Sequence, residues 1–188
     1  MPRRLTEQLE ATPVIAAVKN EEGLARALAS DIGVVFILYG DLRTIIDIVA
    51  RVKEQGKLAL VHIDLIGGLS GKEISVDYIK EQVQADGILS THPSLIRHAR
   101  SIGLLTVLRI FMLDSMSLEN VTHQCDLAHP DCVEILPGPM PKVVRRVHEL
   151  CRVPLIAGGL ILDKEDILHA LDAGAISVST TKSALWEV

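Results

Sequence analysis

The sequence predicts an α/β fold, a compact TIM-like (βα)8 barrel with one or two abbreviated helices. Short runs rich in Val, Ile and Leu recur with starts roughly 20 to 28 residues apart, the spacing that a strand, a loop and a crossover helix require. Between these runs, the apolar residues recur with a helical period. Glycines and polar residues follow the runs directly, where an α/β barrel carries its functional groups.

Eight runs have strand character: Val14 to Val18, Val34 to Leu38, Leu58 to Ile63, Gly87 to Leu89, Leu105 to Ile110, Cys132 to Leu136, Leu155 to Ala157, and Ile176 to Ser179. They predict a closed barrel in one domain, residues 1–188. Such barrels usually need about 250 residues and seldom fewer than about 200. We therefore expect short loops and reduced helices around Gly67 to Ser75 and after Thr181. An open doubly wound sheet is the alternative.

Helix-capping signals stand between the runs. Gly56, Gly103 and Gly174 each follow a predicted helix end, where a left-handed residue closes the last turn. Asp163 and Asp166 resemble a capping box at the start of the last helix. These signals place the helices where the barrel requires them.

Composition limits the class of protein. The chain is 48% apolar with a mean hydropathy of +0.33, and it contains neither a membrane-length apolar stretch nor a signal-type segment, so we expect a cytoplasmic protein. Cys125, Cys132 and Cys151 lack metal-binding spacing and are interpreted as reduced packing residues. A net charge of −5 means that any contact with RNA must be local.

Two neighbouring segments, Val153 to Ile161 and Ala173 to Thr181, each lead from an apolar run into groups that bind phosphate. An amphipathic helix from Asp163 to Ala173 separates them, so their strands are predicted to be adjacent and parallel. A lone Gly-Gly pair would indicate only a tight turn, but the repetition at the next strand end favours a phosphate site. That predicted site comprises Gly158, Gly159, Leu160, Ser179, Thr180 and Thr181.

His62 and Asp64 stand two residues apart after the third run, so both are expected on one side of the strand. They suggest a metal pair or a general acid and base. No second cluster with metal-binding spacing accompanies them, so we expect no metal and no cofactor, and we favour hydrogen bonds to ligand hydroxyls. The alternative is that the two residues only satisfy each other. Thr91, after the fourth run, joins the predicted ligand site.

Charged residues end three other runs. Lys19 suggests a Schiff-base lysine, but the acidic stretch after it favours a role in neutralising phosphate. Glu134 lies in an apolar run, where an ionised carboxylate is costly unless it is paired. Arg109 on the neighbouring strand is the predicted partner, in a pair that is structural or that clamps a small polar ligand. Pro137 and Gly138 complete the predicted ligand site.

Segments at seven strand ends form a specific combination: Pro13 to Lys19, Val61 to Ile66, Gly87 to Thr91, Arg109 to Ser115, Glu134 to Gly138, Ala157 to Ile161, and Ser179 to Thr181 with Leu185-Trp186 behind it. Through them the sequence resembles the glycerol-3-phosphate responsive antiterminator family over nearly the whole chain. The Gly-Gly and Ser-Thr segments alone would match many phosphate-binding barrel enzymes. The segments around His62 and from Arg109 to Ser115 narrow the resemblance to this family.

The resemblance implies a non-enzymatic regulator: glycerol 3-phosphate is the effector, and the liganded protein acts on the leader mRNA of glycerol-utilisation operons to prevent termination. The alternative is a small lyase or isomerase acting on a phosphorylated metabolite, with Glu134 or Asp64 as base. Each candidate base has a neighbouring opposite charge or hydrogen-bond donor that explains it as part of a binding site, which favours the regulator. A homo-oligomer is left open.

The helix from Met140 to Arg152 is the predicted RNA contact. One side carries Val143, Val144, Val147 and Leu150, so its basic residues face outward with only Glu149 to offset them. The alternative is an ordinary solvated helix face. The predicted RNA-binding residues are Lys142, Arg145, Arg146 and Arg152.

Overall fold

The computed structural model describes residues 3–187, so residues 1, 2 and 188 of the predicted domain lie outside it. It forms a closed parallel barrel in which each strand pairs with the next and the last pairs with the first. The strands are β1 (Val14–Val18), β2 (Val34–Ile37), β3 (Leu58–His62), β4 (Gly87–Ser90), β5 (Leu105–Phe111), β6 (Cys132–Leu136), β7 (Leu155–Gly158) and β8 (Ser177–Thr180). The predicted (βα)8 barrel is confirmed, and the open sheet is wrong.

Helices alternate with the strands and surround the barrel. They are α1 (Arg3–Ala11), α2 (Glu21–Ala29), α3 (Ile45–Glu54), α4 (Glu73–Tyr78), α5 (Pro93–Ser101), α6 (Ser115–Ala128), α7 (Pro141–Leu150) and α8 (Lys164–Asp172). The two connections expected to be reduced are short. The connection after β3 has a 3-10 turn, Ile63–Leu65, and a six-residue α4 that continues as a π-helical turn. Only the 3-10 turn Ser183–Leu185 follows β8 among the described residues.

The predicted helix boundaries have the expected chemistry. Gly56, Gly103 and Gly174 all have positive φ, as a left-handed helix end requires. The Asp163 carboxylate accepts a hydrogen bond of 3.0 Å from the backbone N–H of Asp166. The Asp166 carboxylate in turn accepts a hydrogen bond from the backbone N–H of Leu162. Each aspartate thus satisfies one otherwise free N–H donor at the start of α8.

Helix α1 is not predicted from the sequence, and it closes the amino-terminal end of the barrel. Leu5 and Leu9 are buried in a cluster with inward-facing strand residues such as Phe36. Arg4 forms an ion pair of 3.1 Å with Asp86, just before β4. Because α1 precedes the first strand, the repeat of strand and helix gives no signal for it. It covers apolar strand residues that would otherwise face water.

The hydrophobic core therefore has two parts. The larger part lies between the barrel and its helices, and the smaller part fills the amino-terminal half of the barrel under α1. The interior near the carboxyl ends of the strands is polar instead. Its buried polar side chains are His62, Arg109, Glu134 and Ser179. The barrel interior therefore carries a cluster of buried polar side chains near the carboxyl ends of its strands.

Truncating the α1 seal should destabilise the whole domain. Leu5 is 1% exposed, so Leu5→Ala should lower the free energy of unfolding by about 2–5 kcal/mol, the usual cost of such a cavity. Leu168→Ala is the matched control, because Leu168 is 51% exposed on α8 and its truncation should cost no more than about 0.5 kcal/mol. Urea unfolding measures both variants. Equal stability of the two would contradict a sealing role for α1.

Candidate functional site

A cavity of about 460 Å³ opens at the carboxyl ends of the strands. Its lining residues are Ala17, Leu38, Arg109, Leu136, Gly159, Leu160, Ile161, Leu162, Ser179, Thr180, Thr181 and Lys182. A larger groove, of about 860 Å³, lies outside the barrel against α5, α6 and α7. We place the site at the mouth because the strand-end polar groups converge there, as they do in barrels of this architecture.

An ion pair lies beneath the cavity. Arg109 on β5 stands directly opposite Glu134 on β6, and its Nε donates to Glu134 Oε2 at 2.6 Å. The Glu134 side chain is fully buried, and its other carboxylate oxygen accepts a hydrogen bond from the hydroxyl of Ser179. The predicted pair is therefore present, and a third residue from β8 completes it. Both Glu134 oxygens are engaged within the protein.

This arrangement changes the role expected for each partner. Glu134 does not border the cavity, whereas Arg109 does. A guanidinium has five N–H donors, and within the described residues only the Nε–H of Arg109 forms a hydrogen bond. The remaining donors are therefore available to a ligand. The structure indicates that Glu134 orients Arg109.

Gly158 makes room for this network. A Cβ atom at Gly158 would lie 2.4 Å from Glu134 Oε1 and 2.6 Å from the Ser179 hydroxyl oxygen. Real Cβ atoms do not approach other heavy atoms this closely, so any side chain would displace the carboxylate. The sequence places Gly158 in a phosphate site, but its evident packing role is to leave space for Glu134.

The turn after β7 has an unusual backbone. Gly159 and Leu160 are consecutive residues with positive φ, 69° and 58°. The left-handed conformation costs a residue such as leucine about 1–2 kcal/mol, and Leu160 is 66% exposed, so burial of its side chain does not offset that cost. The Gly159 carbonyl accepts a hydrogen bond of 3.0 Å from the N–H of Gly138. The strained turn is thus tied to the loop between β6 and α7.

The three hydroxyls after β8 are not equivalent. Ser179 donates to Glu134, and Thr180 donates to the backbone carbonyl of Ile161 at 3.2 Å. Only the Thr181 side chain, which is exposed, has no partner among the described residues. Within the described residues, Ser179 and Thr180 therefore donate to the barrel itself, and of the three predicted hydroxyls Thr181 is the one left to donate to a phosphate. All three residues still border the cavity.

Lys182 is a cation that the sequence analysis misses. It borders the cavity, and its ammonium group donates to the carbonyl of Leu162 at 2.6 Å across the mouth. Lys19, the predicted phosphate-neutralising residue, is exposed after β1 and does not line this cavity. The signal for Lys182 was its position directly after the Ser-Thr-Thr segment.

His62 and Asp64 do not lie on one strand. Strand β3 ends at His62, and Asp64 belongs to the 3-10 turn that follows. His62 Nδ1 lies 3.9 Å from Asp64 Oδ2, too far for a hydrogen bond, and this buried atom has no partner among the described residues. Burial and the nearby Arg109 charge lower the pKa of His62 to about 4, so its imidazole is neutral at pH 7.

Asp64 instead organises the end of β4. Its carboxylate accepts hydrogen bonds from the Ser90 hydroxyl at 2.6 Å and from the backbone and hydroxyl of Thr91 at 2.7 Å and 2.9 Å. Burial works to raise the pKa of Asp64, but these hydrogen bonds hold it below its ordinary value. The alternative in which His62 and Asp64 satisfy each other is wrong, and Thr91 is committed to Asp64.

Pro137 and Gly138 form the loop after β6. The Leu136-Pro137 peptide bond is cis. A Cβ at Gly138 would lie 3.2 Å from the backbone nitrogen of Gly158 and 2.8 Å from Ile161 Cδ1. This loop is therefore packed directly on the turn that follows β7.

The basic face predicted on α7 is exposed. Lys142, Arg145 and Arg146 lie on the helix, and Arg152 follows it. Arg146 pairs with Glu149 at 3.2 Å, whereas the other three cations form no ion pair among the described residues. Leu150 is 36% exposed, because it lies at the helix end, where the packing surface stops.

Two general findings concern residues 3–187. None of their helices is long and apolar enough to cross a membrane. Within the same part of the chain, no group of three or more His, Cys, Asp or Glu side chains is arranged to hold a metal ion.

Comparisons with known proteins identify the family. Residues 14–186 match the model of the family described as glycerol-3-phosphate responsive antiterminator. The chain is 44% identical over 182 residues to the uncharacterized protein YgcP of Escherichia coli K12, covering 97% of this chain and 95% of that protein.

Solved structures extend the comparison. The glycerol uptake operon antiterminator regulatory protein of Listeria monocytogenes has a TM-score of 0.90 at 30% identity, covering 93% of this chain and 95% of its own. A glycerol uptake operon antiterminator-related protein from Thermotoga maritima has a TM-score of 0.82, also at 30% identity, covering 92% of this chain and 96% of its own. Deoxyribose phosphate aldolase from Aeropyrum pernix shares the fold alone. It has a TM-score of 0.72 at 17% identity, covering 99% of this chain and 96% of its own. The chain therefore belongs to the glycerol-3-phosphate responsive antiterminator family.

Proposed function

We propose that this protein binds glycerol 3-phosphate in the mouth cavity and, when liganded, contacts a leader mRNA to prevent transcription termination. The observation that carries the proposal is a buried Arg109 that is held by Glu134 through Nε and borders the same cavity as a second cation, Lys182. Two cations at a small cavity favour an anionic ligand.

The phosphate belongs beside the turn after β7. Glycine at position 159 lets a phosphate approach the backbone closely, and the hydroxyl of Thr181, which has no partner in the described part of the chain, borders the same cavity. The ammonium group of Lys182 supplies charge at the rim, whereas Lys19 does not border this cavity. The proposed phosphate position is therefore the one that the sequence predicts, but the neighbouring cation is Lys182 instead of Lys19.

We place the glycerol hydroxyls deeper in the barrel, beside His62, which is not among the residues that border the mouth cavity itself. His62 Nδ1 is buried and lacks a partner within residues 3–187, and an unsatisfied polar atom of this kind costs about 1–3 kcal/mol. A ligand hydroxyl would satisfy it, together with the free N–H groups of Arg109. Glu134 acts through Arg109 as a positioning residue rather than as a direct contact.

The enzymatic alternative lacks a free base. Glu134 accepts from Arg109 and Ser179, and Asp64 accepts from Ser90 and Thr91. General base catalysis needs a carboxylate within reach of a reacting atom, and both candidates are occupied by protein donors. We therefore propose a regulator without a catalytic residue, cofactor or metal.

The proposed RNA contact is α7, because it is joined to the ligand site. The loop from Pro137 to Gly138 connects Glu134 to the helix, and Gly138 donates to the Gly159 carbonyl. A ligand that moves the turn after β7 would therefore move the start of α7, which couples the two sites. The coupling operates in a monomer or in a homo-oligomer that displays the helix.

Binding should discriminate by the hydroxyls as well as by the phosphate. Ethyl phosphate lacks both glycerol hydroxyls and would leave His62 Nδ1 unpaired, so we expect it to bind at least tenfold more weakly than glycerol 3-phosphate. Glycerol and inorganic phosphate should each bind more weakly still. Isothermal titration calorimetry of all four compounds tests this. Equal affinities for ethyl phosphate and glycerol 3-phosphate would show that the protein recognises only the phosphate.

A bulky residue at Gly159 should abolish ligand binding. Gly159→Val blocks the close approach of the phosphate, and its Cβ would lie 3.0 Å from Leu136 Cδ2. Gly56→Val is the matched control, because Gly56 has nearly the same φ, 71°, with no atom within 4 Å of its Cβ position. Both variants should lose about 1–2 kcal/mol of stability, but only Gly159→Val should lose binding in calorimetry. Unchanged affinity in Gly159→Val would refute the phosphate site.

Charge reversal on α7 should weaken RNA binding alone. Arg145→Glu with Arg146→Glu should lower the affinity for leader RNA and reduce its salt dependence by about 0.7 of log-log slope for each lost phosphate contact. Arg26→Glu with Lys53→Glu makes the same change of charge on α2 and α3 and should leave RNA binding intact. A gel-shift titration with glycerol 3-phosphate present measures both. If the α7 variant binds RNA like the parent, the contact lies elsewhere.

A further inference from the structure

Two cysteine thiols meet outside the ligand site. Cys125 lies on the last turn of α6, and Cys151 lies directly after α7. Their sulfur atoms are 3.1 Å apart, although 26 residues separate them along the chain. Both side chains are buried, 5% and 7% exposed. The tertiary fold therefore brings into contact two thiols that no sequence spacing connects.

We propose that Cys125 and Cys151 form a reversible disulfide on exposure to hydrogen peroxide, which makes this pair an oxidative modification site. A disulfide requires a separation of about 2.05 Å between the sulfurs, so they must approach by about 1 Å from the thiol contact. The pair also borders the external groove of about 860 Å³, which gives a molecule as small as peroxide a route to both sulfurs.

The surroundings favour attack by Cys151. The hydrogen bond from the Cys125 thiol lowers the pKa of Cys151 and raises the pKa of Cys125. Arg97, Arg100 and Arg152 line the same groove, and positive charge stabilises a thiolate, although Asp126 opposes them. Cys151 is therefore the nucleophile, and Cys125 is the resolving thiol.

The reaction balances with peroxide as the oxidant. The Cys151 thiolate attacks one peroxide oxygen, the O–O bond breaks, and a sulfenic acid forms with release of water after proton uptake. The Cys125 sulfur then attacks the sulfenic sulfur, which forms the S–S bond and releases a second water. Two thiols and one peroxide thus give one disulfide and two waters. A thiol reductant reverses the change.

The bond would fix the end of α6 to the segment between α7 and β7. Arg152, one of the proposed RNA-binding residues, follows Cys151 directly. Oxidation would therefore restrain one end of the basic face. The proposed disulfide rests on the contact between the two thiols and on the groove beside them. It does not depend on whether the protein binds RNA.

Mass spectrometry tests the proposal on the whole protein. Peroxide should lower the intact mass by two hydrogen atoms, and non-reducing peptide mapping should recover a peptide linked through Cys125 and Cys151. Two of the three thiols should disappear in a denaturing thiol assay, and dithiothreitol should restore them. Loss of no thiols, a covalent dimer, or only a gain of oxygen would overturn the proposal.

Serine variants provide matched controls. Cys132 is fully buried on β6, and burial raises its pKa to about 12, so it should not react. Cys132→Ser should therefore still form the disulfide and lose all its remaining thiols, whereas Cys125→Ser and Cys151→Ser should form no intramolecular disulfide. If a serine variant does not fold, the peptide map of the parent protein alone decides. A disulfide that includes Cys132 would contradict the assignment.

Discussion

The ion pair of Arg109 and Glu134 is the constraint on which the mouth of the barrel depends. Two opposite charges inside a barrel are costly to bury, and removing one partner of such a pair typically costs about 3–5 kcal/mol. The structure meets this cost locally: Ser179 donates to the second carboxylate oxygen, and Gly158 leaves the space that the carboxylate needs. Strands β5, β6, β7 and β8 thus each contribute one residue to a single network.

This network turns a buried charge into an oriented binding group. Glu134 holds Arg109 through Nε, and Arg109 borders the cavity with its other N–H groups unbonded within the described residues. A side chain fixed in this way loses little further freedom when a ligand binds, which is how preorganisation increases affinity. In the same geometry, both carboxylate oxygens of Glu134 accept hydrogen bonds, one from Arg109 and one from Ser179.

The loops above the network connect recognition to the outer surface. The strained turn of Gly159 and Leu160 is bonded to Gly138, and Gly138 belongs to the short loop that leads into α7. The turn where we propose the phosphate binds is therefore one hydrogen bond away from the loop that leads into a basic helix. At the other end of α7, the Cys125 and Cys151 thiols touch. The proposed ligand site and the proposed disulfide therefore lie at opposite ends of the same helix.

The sequence by itself determined the barrel, its strand order and the Arg109-Glu134 pair, because the repeat of strand and helix and the rule that buried charges need partners are both local in the chain. It did not determine α1, which precedes the repeat, or which hydroxyls the barrel uses for itself. It placed His62 and Asp64 on one side of a strand, whereas β3 ends at His62 and Asp64 lies in the 3-10 turn that follows. Only the tertiary structure decided these points and the meeting of Cys125 with Cys151, because each depends on contacts between segments distant in sequence.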